Sequence, residues 1–216
     1  MSLRVLTFSY CYLSAAILGY FLGSCPNGYL IGRARGVDIR LFGSGNIGAT
    51  NVLRVLGKKW GYLVFFLDTL KGFLAVRAAS GLAFITPPIS QPEIVGIVAG
   101  LACILGHTFP VWLRFRGGKG VATSAGVLLG LMPIAVISVF FVWLVLFKIT
   151  RYVSIASIVA AAALPLFVAL YLRLHALTGT TLLPFSILIA GVVIWRHRSN
   201  IGRLLQGEEE RFGNKR

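Results

Sequence analysis

The side chains best suited to chemistry lie in three short segments of a 216-residue chain. The first is Gly43-Ser44-Gly45-Asn46-Ile47-Gly48-Ala49-Thr50-Asn51, with Arg54 three residues on. Its glycines open backbone conformations closed to other residues, and exposed N–H groups in such a loop form a nest for an anion. Ser44, Asn46, Thr50 and Asn51 add neutral donors, and Arg54 adds a bidentate charge. A flexible polar connector is the plain alternative, but such connectors rarely gather so many donors in a chain this poor in polar residues.

The second segment runs Gly106-His107-Thr108-Phe109-Pro110, then Arg114, Arg116 and Gly117-Gly118-Lys119-Gly120-Val121-Ala122-Thr123. Gly117 to Thr123 reads as a phosphate-binding loop ahead of a helix whose N-terminus also favours anions. The spacing is not that of a Walker A motif, so no nucleotide is implied. Lys119 between glycines has no packing role. His107, at the end of an apolar stretch, either caps carbonyls or faces the site. The third segment is Arg196-His197-Arg198-Ser199-Asn200-Ile201-Gly202-Arg203-Leu204, reaching Gly207 and Glu209. A basic helix after a last span is ordinarily an anchor, although His197 and Asn200 at i, i+3 share one face.

The elements that must position these residues are apolar. The chain is 57% hydrophobic and 12% charged with a mean hydropathy of +0.85, too apolar for a water-soluble core to hide, so lipid is its solvent. A bilayer-crossing helix needs about 20 apolar residues. Apolar runs fall near 6–32, 60–85, 94–112, 120–132, 133–149, 153–173 and 182–195. The stretch 120–149 is too long for one span and is split at Pro133, while its first half and the last run are short. The expectation is an all-α membrane protein with about seven transmembrane helices, forming one domain over 1–216. The apolar N-terminal run reads as a retained first span rather than a cleaved signal.

Cations set the orientation. Of 21 Lys and Arg, 17 fall in one set of alternate loops and only Arg4 and Arg173 in the other, with Lys71 and Arg77 inside a span. This asymmetry puts the N-terminus outside and the C-terminus, with all three polar segments, in the cytoplasm. A net charge of +15 distributed at the ends of spans speaks for a membrane and against nucleic acid. Cys11, Cys25 and Cys103 lie in apolar stretches without metal spacing. Asp68 and Lys71, at i, i+3 within the second run, are either a structural pair or functional. Ser154 and Ser157 begin the sixth run, facing one site or bonding helix to helix.

Convergence of three such segments on one face makes a single polyanion-handling site the economical expectation. A transporter would set its polar groups near the midplane, often in broken helices. A scaffold leaves the glycine motifs unexplained.

The segments GSGNIGATNVLR at 43–54, GHTFPVWLRFRGGKGVAT at 106–123 and RHRSNIGRLLQGEE at 196–209 resemble the bacterial acyl-phosphate-dependent glycerol-3-phosphate acyltransferases. DTLKG at 68–72 and RYVSIAS at 151–157 are similar to that family as well. The resemblance implies a seven-span enzyme of the bacterial inner membrane, working near its cytoplasmic face in phospholipid synthesis. It implies transfer of a fatty acyl group from acyl phosphate to the sn-1 hydroxyl of glycerol 3-phosphate, giving lysophosphatidic acid and phosphate. No cofactor or metal is implied, and an upstream enzyme forming acyl phosphate is.

By matched position, the resemblance assigns Ser44, Asn51 and Arg54 to substrate phosphate or the reacting centre. Gly117, Gly118, Lys119 and Gly120 go to glycerol 3-phosphate, with His107 nearby; His197, Asn200 and Ser157 complete the pocket. Gly43, Gly45 and Asn46 join the first group as loop donors. Acyl phosphate is already activated, no nucleophile triad is evident, and the HxxxxD signature of soluble acyltransferases is absent. Positioning and charge stabilisation are therefore the expected means of catalysis. The hydroxyl's proton goes to His197 or to a phosphate oxygen of the donor. Glu209 is expected to hold the basic tail.

Overall fold

A computed structural model describes residues 3–85 and 91–213; Lys215 and Arg216, counted above among the cations, lie outside them. The described residues form helices and connecting turns, without strands. The α-helices are α1 Leu3–Ser24, α2 Asn27–Ala34, α3 Ala49–Leu56, α4 Lys58–Ile85, α5 Pro92–Thr108, α6 Val121–Leu131, α7 Pro133–Thr150, α8 Val153–Arg173, α9 Leu182–Arg196 and α10 Arg198–Leu205.

Every apolar run contains a helix. Pro133 stands in the first turn of α7, where its missing N–H has no partner to lose, so the split at that residue holds. The first run, expected as one element over 6–32, instead breaks at Cys25-Pro26 into α1 and α2. Among the described residues, three stretches combine the length and hydropathy needed to cross a membrane: Pro92–Leu113, Pro133–Thr150 and Val153–Arg173. The 28 residues of α4 rise about 42 Å, also enough in length. The 11 residues of α6 rise only about 16 Å, roughly half a hydrocarbon core.

The chain divides into two compact units, residues 1–131 and 132–216. In the first, α1 packs on α5 and α4 on α6, with α4 also touching α5. Small residues bring these backbones together: a Cβ at Gly23 would overlap the Cys103 carbonyl, and one at Gly126 the Thr69 carbonyl. Close approach of this kind replaces the hydrophobic drive that lipid removes. In the second unit α8 packs on α7 and α9. A row of rings lines α7, with Trp143 stacked between Phe140 and Phe147, and Phe147 edge-on to Phe212.

Candidate active site

The first polar segment turns before α3, a helix that the span-sized pattern does not reveal. Gly43 and Gly45 adopt positive φ of 58° and 67°. Asn51, in the first turn of α3 and 1% exposed, ties the loop shut. Its Nδ2 donates to the carbonyls of Ile39 (3.0 Å) and Phe42 (3.1 Å), and its Oδ1 accepts from the Ser44 N–H at 2.9 Å. The Asn46 Oδ1 accepts from the Gly48 N–H (2.8 Å), and the Gly45 N–H reaches the Phe42 carbonyl (3.0 Å).

The expected anion nest is therefore corrected: the N–H groups of Ser44, Gly45 and Gly48 are bound within the loop. Asn46 and Asn51 shape the turn through their amides. What the turn presents outward is the exposed Ser44 side chain, with half-buried Arg54 on α3. Ile47 pins the loop from below, buried with Ile39, Val52, Val64 and Leu113. Asp38 caps the 3-10 turn Ile39–Leu41 that leads into the loop. Hydrogen bonds from the Arg40 side chain (2.9 and 2.6 Å) hold the Asp38 carboxyl down at about 2.

Leu113, on that shared apolar floor, belongs to the chain leading into the second loop. There Arg114 and Phe115 both adopt positive φ, 51° and 61°, an uncommon conformation for non-glycine residues. The reversal returns the chain onto the end of α5. The Gly117 N–H donates to the Thr108 carbonyl and the Gly118 N–H to the His107 carbonyl, both at 3.1 Å. These two N–H groups face their own chain, a second correction to the expected phosphate cradle. A Cβ at Gly117 would overlap the His107 carbonyl, and one at Gly118 the His107 ring at Nε2. These glycines serve close packing. Lys119 follows, half-buried, and Gly120 at φ 81° opens α6.

Beneath this loop lies a buried ion pair. The Lys71 Nζ stands 2.9 Å from Asp68 Oδ1 and donates to the Cys25 carbonyl at 2.8 Å. The Asn27 Nδ2 donates to the same Asp68 oxygen at 3.0 Å, and the His107 Nδ1 lies 3.7 Å from it. Asn27 escaped the sequence reading; its only signal was a polar residue directly after Pro26 inside an apolar run.

In the second unit the junction of α9 and α10 presents His197 and Asn200 on one buried side, 3% and 4% exposed, while Arg198 and Ser199 between them are exposed. The His197 Nδ1 is 2.8 Å from the Val193 carbonyl. A carbonyl only accepts, so the Nδ1 facing it carries a proton, and the neutral tautomer compatible with that bond has its lone pair on Nε2. Asn200 Nδ2 donates to Glu209 Oε1 (2.6 Å), and Arg203 Nε donates to Oε2 (2.8 Å). Burial pushes the Glu209 carboxyl up, but these bonds, with Ser154 close by, more than offset it and hold the group below its usual range. Glu209 is thus a clasp for the basic tail and for Asn200. Ser157, also buried, accepts from the Trp143 indole N–H at 3.1 Å. No group of three or more metal-ligating His, Cys, Asp or Glu residues occurs among the described residues.

The comparison with known proteins agrees over nearly the whole chain. A curated relative from Geobacter sulfurreducens, named glycerol-3-phosphate acyltransferase, is 47% identical across 90% of this chain and 94% of its own. One of the same name from Aquifex aeolicus is 46% identical across 93% and 98%. Among solved structures, the integral membrane glycerol 3-phosphate acyltransferase PlsY in its glycerol 3-phosphate form superposes with a TM-score of 0.83. It is 45% identical and covers 94% of this chain and 96% of that one. The lysophosphatidic acid form of PlsY gives 0.81 at 44% identity, covering 94% and 95%. The sequence model described as Glycerol-3-phosphate acyltransferase matches residues 13–207, and the chain belongs to that family of integral membrane acyltransferases.

Proposed function

We propose that this acyltransferase moves a fatty acyl group from acyl phosphate to the sn-1 hydroxyl of glycerol 3-phosphate, releasing lysophosphatidic acid and inorganic phosphate. The observation that carries the reading is the pair of PlsY relatives, solved with glycerol 3-phosphate and with lysophosphatidic acid, the acceptor and product of that reaction. The glycerol hydroxyl oxygen attacks the acyl carbonyl carbon, a new C–O ester bond forms, and the bond from that carbon to the phosphate oxygen breaks. Phosphate leaves with the electron pair. The acyl group enters already activated, so the protein need only orient two phosphates and manage one proton.

In the first unit, Lys119 on its glycine ledge binds the acceptor's phosphate, and Ser44 and Arg54 bind the phosphate of the donor and the charge that develops as it departs. Asn51, Asn46, Gly43 and Gly45 hold Ser44 in place. In the second unit, Ser157 keeps its hydroxyl proton for donation, Asn200 is fixed by Glu209, and His197 offers Nε2 as a base. The competing base is an oxygen of the donor phosphate.

Purified protein given acyl phosphate and glycerol 3-phosphate should release phosphate and lysophosphatidic acid in equal amounts; failure to form either sinks the reading. His197→Ala then separates the two bases. Turnover should fall with loss of the acid limb of the pH–rate profile if Nε2 takes the proton. Near-normal turnover assigns the proton to the donor phosphate.

We further propose one catalytic domain with seven spans in the bacterial inner membrane, its N-terminus outside and its substrate-binding residues cytoplasmic, supplied with acyl phosphate by an upstream enzyme. The charge asymmetry of alternate loops supports this topology. Single cysteines placed at Ser44 and at Gly179 of a cysteine-free variant should react with an impermeant thiol reagent from opposite sides of sealed vesicles. Labelling from the same side overturns it.

A further inference from the structure

We propose that Asp68, buried in α4, is a positioning residue for Lys119: it holds the His107 ring as the floor on which the glycine ledge rests. The proposal rests on the reading that this ledge binds the acceptor's phosphate.

Four observations carry it. The Asp68 carboxylate is 2% exposed and is served by more than its ion-pair partner: Lys71 and the Asn27 amide both reach Oδ1, and the His107 ring faces the same oxygen. The His107 ring is 5% exposed and is caught between this carboxylate, on its Nδ1 side, and Gly118, on its Nε2 side. Gly118 packs so closely that no Cβ fits, and its N–H is bonded to the His107 carbonyl. Lys119 is the next residue, so rotation or sinking of the imidazole moves the ammonium's backbone directly. Finally, Lys71 also binds the Cys25 carbonyl beside Pro26, fixing the carboxylate's own position against the α1–α2 break.

The chemistry predicts a split that a structural ion pair would not produce. Removing one member of a buried pair leaves an uncompensated charge, whereas removing both in favour of apolar groups is often neutral for stability. Two charge-free double variants therefore isolate the role. Asp68→Asn with Lys71→Gln keeps an oxygen facing His107 and a donor for the Cys25 carbonyl. Asp68→Leu with Lys71→Met keeps volume but removes both.

With purified protein in micelles and a long-chain acyl phosphate as donor, the Leu/Met variant should raise the KM for glycerol 3-phosphate about tenfold or more, the scale of losing one hydrogen bond to a charged group. The KM for acyl phosphate should stay unchanged, and the Asn/Gln variant should remain within about threefold of the parent on both. Equal behaviour of the two variants overturns the proposal.

If the Leu/Met protein does not fold, His107→Leu tests the same link while leaving the Asp68–Lys71 pair whole. It should give the same selective rise in acceptor KM, and an unchanged value overturns the proposal. Lys119→Ala distinguishes this from failure of the underlying reading. If Lys119→Ala leaves the acceptor KM unchanged, the ledge does not bind that phosphate. If it raises that KM while Leu/Met and His107→Leu do not, only the role of Asp68 falls.

Discussion

The two glycine loops of the first unit have similar compositions and opposite supports. The loop at 43–48 is braced from within, by the Asn51 and Asn46 amides bonded to its own backbone, over the buried Ile47. The loop at 117–120 has no such internal amide; it is docked on the end of α5, over His107 and the buried Asp68–Lys71 pair. Glycine accordingly means two things. Gly45 is needed for its positive φ, whereas at Gly118 what excludes a side chain is the His107 ring. A motif that looks like one device is thus two: a self-contained turn that holds out Ser44, and a ledge whose geometry depends on residues 50 positions earlier.

Gly118→Ala is the strongest way to separate them. The added methyl meets the His107 ring, which has the Asp68 carboxylate on its opposite side. Displacing the ledge by about 1 Å should lower kcat/KM roughly 100-fold. The acceptor KM should bear most of the loss, and the same profile for acyl phosphate would show that the two loops are not separable.

Asn51→Ala should follow in size. It removes one of the bonds made by the Ile39 and Phe42 carbonyls, which keep those from the Phe42 and Gly45 N–H groups, and the bond of the Ser44 N–H, at a cost of about 1–3 kcal/mol in stability. The thermal midpoint should fall, and the catalytic loss should appear in donor use. Asn51→Asp, which retains the acceptor for Ser44 but sets a carboxylate against two carbonyls, should not restore the parent. If it does, the brace is a single bond to Ser44.

Gly45→Ala carries a smaller penalty, since the space at this position is tight but not closed (the nearest atom to a Cβ is the Arg40 carbonyl oxygen at 3.1 Å). Holding a side chain at φ 67° costs about 1–2 kcal/mol. Gly45→Asn should lose less than Gly45→Ala, because asparagine visits this region more readily. Equal losses would mean that crowding, not conformation, selects glycine here, and the contrast with Gly118 would vanish.

The helices were legible because a lipid-facing helix must be written as an apolar run, and Pro133 marks its own boundary through its missing N–H. The short α3 was not, since eight residues carry too little pattern to stand out beside spans of twenty. The glycine segments announced an anion site through their composition, but composition does not say which way an N–H points. At Ser44, Gly48, Gly117 and Gly118 it points to the protein's own oxygens. Asp68 was visible as half of an i, i+3 pair with Lys71. Its link to Asn27, 41 residues earlier, depends on the α1–α2 break that brings the amide back to α4.

Asp38→Asn gives the smallest expected effect and tests the contrast from the electrostatic side. The Arg40 side chain holds the Asp38 carboxyl at about 2, below its ordinary 3.8. A depressed native value means that the contribution is present in full above the unfolded value and is lost only as pH falls toward the native one. Between about pH 5 and 9 the group therefore stays ionised, and the brace of the first loop is built on neutral amides. Asparagine keeps an oxygen to cap the Arg40 N–H, and an exposed ion pair contributes little. Activity should change by no more than about twofold, with a ratio to the parent that is flat across that pH range. A ratio that drifts with pH would mean that charge, and not only the Asn51 amide, sets the first loop, so that both loops rest on ionised side chains after all.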